Sequence, residues 1–261
     1  MNDNFEKVIN CVIVGSVACL VLGFSALTIN SISFERSNKT EIVTKIEDKP
    51  SYEYLKSVTV YIVNNHPEQE NFYFDDHELN RVSIGTGTIV ANKDGYFYIM
   101  TNKHVCNIED KDNCSISLNG DPSDATISLT YVREAKEDID LSLWKVLAIE
   151  LKGKTTIKGL NIGYIQNRVF SVGQYLGKAF IYSEGTFAGY GDGKEIFNLP
   201  SAPGCSGSGI FNSNGELIAV LYAGSGVSLI QWPIGASMDT SKALAQSGST
   251  VKEFLGSLIN E

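Results

Sequence analysis

One glycine-rich stretch of the chain carries a serine in a setting suited to acyl transfer. Residues 202–211 read Ala-Pro-Gly-Cys-Ser-Gly-Ser-Gly-Ile-Phe, so Ser206 lies among glycines just before an apolar run. Glycines leave a serine hydroxyl exposed and leave the neighbouring backbone N–H groups unshielded by side chains. Acyl transfer needs both features, because an oxyanion must be stabilised as it forms. Alone, the pattern is more often that of an ordinary glycine-serine turn.

Two residues upstream could supply a general base and the carboxylate that orients it. His104 is one of only three histidines and follows an apolar segment that ends near Met100, while Asp140 opens an alternating apolar run. Taken singly, His104 could belong to a turn and Asp140 to an exposed strand start. Together with Ser206 they occur in the order His, Asp, Ser, one of several chain orders that build the same triad geometry. We predict these three residues as the catalytic triad.

The segments around these residues resemble conserved boxes of trypsin-like serine proteases, closest to the HtrA/Deg branch. TNKHV contains His104, DIDLSLWKV contains Asp140 and PGCSGSGIFN contains Ser206. Weaker similarities lie at 85–90 and 172–187, and the resemblance covers about residues 81–245. It implies a double β-barrel that hydrolyses peptide bonds of a protein or peptide substrate without a cofactor or metal. We expect no PDZ domain, and some HtrA relatives form trimers, so a homo-oligomer is an open expectation.

The resemblance also implies which residues contact the substrate. The backbone N–H groups of Gly204 and Ser206 would form the oxyanion hole. Ser201 falls near the base of the primary pocket, where no acidic residue is found, so we expect a small or medium apolar side chain there. The strand that contains the remaining predicted substrate-binding residues would pair with the substrate backbone. These residues are Leu221, Tyr222 and Ala223.

Two departures from the family pattern surround the nucleophile. Cys205 stands where the family has Asn or Asp, and Ser208-Gly209 replaces Gly-Pro. A cysteine nucleophile at 205 is the alternative, but it would shift the glycine spacing by one residue. Neither departure removes a catalytic group.

Short strands separated by turn signals predict an all-β fold closed by a terminal helix. Asn214-Gly215 between two apolar runs predicts a hairpin, Asp239-Thr240-Ser241 predicts a helix cap, and Val251–Ile259 has an amphipathic helical pattern. The resemblance implies that these strands form a trypsin-like double β-barrel. The predicted strands lie near 58–63, 82–91, 95–101, 115–118, 125–132, 140–147, 168–174, 181–190, 208–212, 217–223 and 227–232.

The amino-terminal part of the chain predicts a membrane anchor. Residues 8–29 contain no Asp, Glu, Lys or Arg and would span about 33 Å as a helix; a cleaved signal peptide is the alternative. We therefore divide the chain into a tail at 1–7, a transmembrane helix at 8–29, a polar linker at 30–55 and a protease domain at 56–261. Basic residues follow the span, but the family analogy favours a non-cytoplasmic domain on a single-pass membrane protein.

The cysteines bear on the redox compartment of the protein, and the net charge bears on its partners. Cys106 and Cys114 bracket a short loop after His104, and they form either a disulfide in an oxidising compartment or two reduced thiols. A net charge of −9 argues against a nucleic-acid partner. The acidic segment 75–78 is interpreted as a solvated insertion rather than a metal site.

Three functions fit these observations. The favoured one is a membrane-anchored serine endopeptidase that acts through an acyl-enzyme. The second is a trypsin-fold binding module without turnover, and the third is a tethered structural protein that positions its partners.

Overall fold

The structure is a computed structural model that describes residues 49–65, 82–136, 138–162, 168–175, 179–191, 194–224 and 243–259. No helix in this described part is long and apolar enough to cross a membrane. The predicted anchor at 8–29 and the acidic segment 75–78 lie outside the described residues.

The described chain is mostly β-structure with a short helix at each end, as the sequence predicts for the fold class. Helix α1 spans Tyr52–Ser57 and helix α2 spans Gly248–Leu255, and short 3-10 turns lie at Ile108–Asp110, Pro122–Asp124, Ala148–Glu150 and Gly256–Ile259. The strands are β1 (Thr59–Asn65), β2 (Val82–Lys93), β3 (Tyr96–Thr101), β4 (Cys114–Ser117), β5 (Ile127–Ser128), β6 (Thr130–Glu134), β7 (Ser142–Leu147), β8 (Arg168–Tyr175), β9 (Ala179–Gly191), β10 (Lys194–Asn198), β11 (Gly209–Phe211), β12 (Leu217–Gly224) and β13 (Ala243–Ser247).

These strands form two antiparallel sheets. The first sheet has seven strands in the order β5-β4-β1-β2-β3-β7-β6 and is a half-barrel, while β10-β13-β12-β11-β8-β9 close into the second barrel. Within the first sheet, β2 pairs with β3, and β3 pairs with β7. In the second barrel, β11 lies between β8 and β12. This arrangement is consistent with a trypsin-like fold.

Most predicted strands are present, although their ends are shifted. The run 125–132 is split into β5 and β6, whereas 227–232 lies outside the described residues. The sequence patterns did not predict β10 or β13. The cap at 239–241 lies outside the described residues too, and the chain after it enters strand β13 before helix α2 begins, with Ser247 accepting from the N–H of Thr250. Closing the barrel through pairs to β10 and β12 is what keeps this segment extended.

The folded domain begins earlier than the sequence indicates. The sequence predicts a linker that ends at residue 55. In the structure, α1 starts at Tyr52, and Leu55 is fully buried in the core. The Tyr54 hydroxyl donates to the carbonyl of Gly215 at 2.9 Å and accepts from the N–H of Lys158 at 2.9 Å. The end of the segment 30–55 therefore packs onto the domain rather than serving as a tether.

Apolar side chains fill each sheet and the space between the two sheets. Trp144 and Ile99 lie in the core of the first sheet, and Phe197 lies in the core of the second barrel. A third cluster joins the sheets and includes Met100 of β3 and Phe211 of β11. Burying each such side chain contributes about 1.5–3 kcal/mol to stability. The shared cluster therefore holds the two sheets together.

A disulfide joins Cys106 to Cys114, with 6.3 Å between their Cα atoms. It links the loop after β3 to the start of β4. Of the two alternatives that the sequence left open, the structure has the bonded one.

Glu195 on β10 is a buried acidic residue. It is 6% exposed, and its Oε2 has no hydrogen-bond partner among the described residues. It lies on the same buried face of β10 as Phe197, opposite Ala245 of β13. Burial raises the pKa of Glu195 from 4.5 to about 7, because an apolar setting disfavours the charged carboxylate.

Replacing Glu195 with Gln should therefore stabilise the protein in a pH-dependent way. Between pH 4.5 and 7 the unfolded carboxyl ionises while the folded one stays protonated, so the native state loses stability as pH rises. At pH 8 we expect Glu195→Gln to be more stable than wild type by on the order of 3 kcal/mol. At pH 4.5 the two should differ little. Denaturant unfolding at both pH values measures this, with the exposed Glu253→Gln as control; a difference independent of pH would contradict the prediction.

Candidate active site

His104 and Asp140 meet at the end of the first sheet where β3 and β7 pair. Thr101 of β3 lies opposite Ser142 of β7, so the residues just beyond these strand ends come together. The distance from His104 Nδ1 to Asp140 Oδ2 is 2.6 Å, and the backbone N–H of His104 donates to Asp140 Oδ1 at 3.2 Å. The Asn102 amide also donates to the Asp140 carbonyl at 2.7 Å. Asp140 is thus held in place, and it fixes the orientation of the imidazole.

The pKa of Asp140 is lowered by these contacts. Burial alone would raise it, but the hydrogen bond and charge of His104, together with backbone N–H donors of His104 and Lys103, outweigh burial. The carboxylate therefore stays ionised beside a ring that is half exposed to solvent.

Ser206 lies on a tight loop between β10 and β11. Within this loop the N–H of Cys205 donates to Ala202 at 2.9 Å, and the N–H of Ser208 donates to Cys205 at 3.0 Å. Gly204 and Gly207 have φ values of +97° and +87°, a region that side chains with a Cβ rarely adopt. The glycine-rich motif therefore forms a folded loop in which Gly204 has an unusual backbone conformation.

The Ser206 hydroxyl points toward β12 in this structure. Its Oγ donates to the carbonyl of Tyr222 at 3.3 Å. The same strand is tied to the loop by the Gly207 N–H, which donates to Leu221 at 2.8 Å, and by the Leu221 N–H, which donates to Ser208 at 2.9 Å. In the part of the chain that the structure describes, no hydrogen bond links His104 to Ser206.

The nucleophile loop is nevertheless anchored to the strands that carry His104. The N–H of Thr86 on β2 donates to the Ser206 carbonyl at 2.7 Å, and the Thr86 hydroxyl donates to the Gly204 carbonyl at 2.7 Å. The Thr101 hydroxyl, three residues before His104, donates to the Thr86 carbonyl at 2.7 Å. A short chain of hydrogen bonds therefore connects the strand end that carries His104 to the loop that carries Ser206.

Two N–H groups beside the nucleophile have no acceptor in the part of the chain that the structure describes. Within the described ranges, no protein acceptor bonds to the N–H of Gly204 or of Ser206. Such pairs of free amides beside a serine hydroxyl can stabilise a developing oxyanion.

The predicted substrate-binding residues lie around this loop with different exposures. Ser201 is 3% exposed and Leu221 is 2% exposed, with Leu221 in the core of the second barrel. Tyr222 is partly exposed and presents its carbonyl to Ser206. Ala223 lies on β12, one residue further along. Of the four, Tyr222 is in direct contact with the nucleophile.

Cys205 does not share the setting of Ser206. The thiol is buried, its Sγ lies 3.5 Å from the carbonyl of Gln174, and burial raises its pKa. A higher pKa leaves less thiolate, the form that reacts as a nucleophile. These observations favour Ser206 over Cys205.

The sequence did not single out the polar residues that support the loop. Thr86, Thr88 and Thr101 are fully buried, and Gln174 on β8 donates its N–H to the Thr86 hydroxyl at 2.9 Å. A usable signal was present, because Thr86 and Thr88 alternate with glycines in a strand that otherwise buries apolar side chains. Among the described residues no group of His, Cys, Asp and Glu could hold a metal ion.

Comparisons with solved structures give a likeness in fold. The active form of the Rv3671c protease from M. tuberculosis has a TM-score of 0.57 at 16% identity, covering 82% of this chain and 86% of that chain. The serine endoprotease from Yersinia pestis has a TM-score of 0.55 at 18% identity, covering 81% and 68%. The inactive form of the Rv3671c protease has a TM-score of 0.53 at 15% identity, covering 78% and 90%. No curated protein sequence matches the chain.

A family model described as the trypsin-like peptidase domain matches residues 85–220, more than half of the 261-residue chain. This range includes His104, Asp140 and Ser206. With the half-barrel, the closed barrel and the terminal helix in place, the chain belongs to the family of trypsin-like peptidase domains.

Proposed function

We propose that the protein is a serine endopeptidase that cleaves peptide bonds with Ser206 as nucleophile, His104 as general acid and base, and Asp140 as the orienting carboxylate. One observation carries the proposal: the His104–Asp140 pair and the Ser206 loop are attached to the same strands, β2 and β3, through Thr86 and Thr101. The sequence boxes favour the HtrA branch of the family.

The chemistry follows from which atoms are already engaged. Because the Nδ1–H of His104 donates a hydrogen bond to Asp140, the other ring nitrogen, Nε2, can accept the proton of the Ser206 hydroxyl. Ser206 Oγ then attacks the peptide carbonyl carbon, and the imidazolium is stabilised by the ionised Asp140. The proton passes to the leaving amine, an acyl-enzyme remains, and water activated by His104 releases the product acid.

The unpaired amides of Gly204 and Ser206 would form the oxyanion hole. Each such donor is typically worth about 10²–10³-fold in rate. A positive φ at Gly204 directs its peptide in a way that a residue with a Cβ would adopt only under strain.

Substrate binding would bring the Ser206 hydroxyl to His104. We infer that the substrate pairs with β12 as an added strand, so that its N–H bonds to the Tyr222 carbonyl. That carbonyl now accepts from Ser206, and losing this acceptor would free the hydroxyl to rotate toward the imidazole. The roles of Ser201, Leu221 and Ala223 and an apolar side chain in the primary pocket stay predictions.

A binding module without turnover is the second candidate. The observation that favours it is the Ser206 hydroxyl bonded to Tyr222 rather than to His104. The intact His104–Asp140 pair favours the enzyme, since a binding module has no need for an oriented general base.

We further propose that residues 8–29 anchor the protein in a membrane with its domain on the non-cytoplasmic side. The disulfide between Cys106 and Cys114 supports this location, because disulfides persist in oxidising compartments. The homo-oligomer stays a prediction.

Replacing Ser206 tests the nucleophile. A fluorophosphonate, which phosphonylates activated serines, should label wild type and leave Ser206→Ala unlabelled. Ser208→Ala is the matched control: this second serine of the loop is fully buried, and its hydroxyl has no partner among the described residues. The control should be labelled like wild type. A folded wild-type protein that resists labelling and cleaves no peptide would favour the binding module.

Replacing Asp140 with Asn tests the orienting carboxylate. We expect kcat to fall about 10³–10⁴-fold, because Asn no longer holds the productive imidazole tautomer or balances its charge. Because the pKa of Asp140 lies below 3.8, wild type loses this contribution only as pH falls through that lowered pKa. The two proteins are therefore compared at pH 8, well above that lowered pKa. The exposed Asp138→Asn, two residues upstream, is the control, and a loss under tenfold in Asp140→Asn would disprove the role.

Labelling of cells tests the anchor and the side of the membrane together. A membrane-impermeant fluorophosphonate should label the protein on intact cells or spheroplasts, and the label should sediment with membranes. Removing residues 8–29 should move the protein, detected after lysis, from the membrane fraction to the soluble fraction. Labelling that requires lysis would place the domain on the cytoplasmic side instead.

A further inference from the structure

Thr86 makes more hydrogen bonds than the pairing of its strand requires. It is fully buried on β2, and it takes part in four hydrogen bonds outside the β2 ladder. Its N–H donates to Ser206 at 2.7 Å, its hydroxyl donates to Gly204 at 2.7 Å, the N–H of Gln174 donates to that hydroxyl at 2.9 Å, and Thr101 donates to its carbonyl at 2.7 Å.

Two of these bonds hold the peptide groups on either side of the Ser206 amide. The Gly204 carbonyl belongs to the peptide that precedes Cys205, and the Ser206 carbonyl belongs to the peptide that follows Ser206. Between them lies the single peptide that carries the Ser206 N–H. With both neighbours bonded to Thr86, and with its own Cys205 carbonyl accepting from the N–H of Ser208 at 3.0 Å, this peptide is held by β2 and by the loop together.

The hydroxyl of Thr86 is used both as a donor and as an acceptor in this arrangement. Its one hydrogen goes to Gly204 of the loop, and it accepts the N–H of Gln174 from β8. Gly204 also packs against the carbonyl of Gln174, since a Cβ added there would lie 2.6 Å from that oxygen. The hydroxyl is therefore a bridge between β2, β8 and the nucleophile loop.

We propose that Thr86 is a positioning residue whose hydroxyl holds the amides of Gly204 and Ser206 in the orientation that stabilises the oxyanion. This inference rests on the proposed function of Ser206. Thr86 acts through the loop and does not touch the substrate. A serine can replace it because the hydroxyl, not the methyl group, makes the bridge, whereas a valine of the same shape leaves the buried Gly204 carbonyl and Gln174 N–H without partners.

Thr59 offers a matched control within the same sheet. It is also fully buried, and its hydroxyl donates to the carbonyl of Leu55 at 2.7 Å, the same length as the bond from Thr86 to Gly204. That bond lies at the junction of α1 and β1. Thr59→Val therefore removes one buried threonine hydrogen bond of the same kind, where Thr86→Val removes two, and it leaves the nucleophile loop untouched.

The experiment compares wild type, Thr86→Val, Thr86→Ser and Thr59→Val at a temperature where circular dichroism shows all four folded. The readouts are the rate of fluorophosphonate labelling at Ser206, and kcat and KM on a peptide that wild type cleaves. We expect Thr86→Val to lose at least about tenfold in labelling rate and kcat, with KM within about threefold of wild type. Thr86→Ser and Thr59→Val should stay within about threefold of wild type. The pH midpoint of kcat should not move in Thr86→Val, since His104 and Asp140 are unchanged.

The outcomes distinguish the role of Thr86 from the proposed function. Equal rates in Thr86→Val and Thr59→Val would overturn the proposal, and so would a Thr86→Ser variant as slow as Thr86→Val. If Thr86→Val does not fold, Thr86→Cys takes its place, because a thiol is only a weak donor, and a wild-type rate in that variant would equally overturn the proposal. A wild-type protein that is not labelled at Ser206 would refute the proposed function itself, which separates that failure from a failure of the role of Thr86.

Discussion

Two side chains on different sheets can share one reaction only if the sheets are held in a fixed relation. Here the constraint is the buried polar contact between β2 of the first sheet and the loop that carries Ser206. The apolar core that joins the sheets includes Met100 of the first sheet and Phe211 of the second. The core brings the sheets together, but hydrophobic contact is not directional. The hydrogen bonds of Thr86 supply the direction, because each one needs a specific donor and acceptor geometry.

The site divides its tasks between local and long-range structure. His104 and Asp140 meet because β3 and β7 are paired neighbours in one sheet, so their contact is decided within that sheet. Ser206 reaches the same end of the molecule through a loop of the other sheet. Its position therefore depends on how the two sheets pack, and the hydroxyls of Thr86 and Thr101 make hydrogen bonds at this place.

Buried polar groups in this protein fall into two classes with different consequences. Thr86 and Thr101 have their hydroxyls bonded, so burying them costs little, and they lend the site rigidity. Glu195 keeps one carboxylate oxygen without a partner, and its pKa rises accordingly. Burying a polar group costs more free energy when the group has no hydrogen-bond partner, as at Glu195 among the described residues, than when it is bonded, as at the threonines.

The sequence by itself determined the all-β class, the terminal helix, the hairpin at Asn214-Gly215 and the residues on which the proposed chemistry rests. Those features depend on short-range patterns, since alternation, turn residues and glycines act over a few positions. Only the tertiary structure decided that β13 is a strand, that Leu55 belongs to the core, that Cys106 is bonded to Cys114 and that Thr86 holds the nucleophile loop. Each of these depends on a partner far away in the chain, such as β10 for β13 or Gly204 for Thr86, and no local pattern specifies which distant segment will provide it.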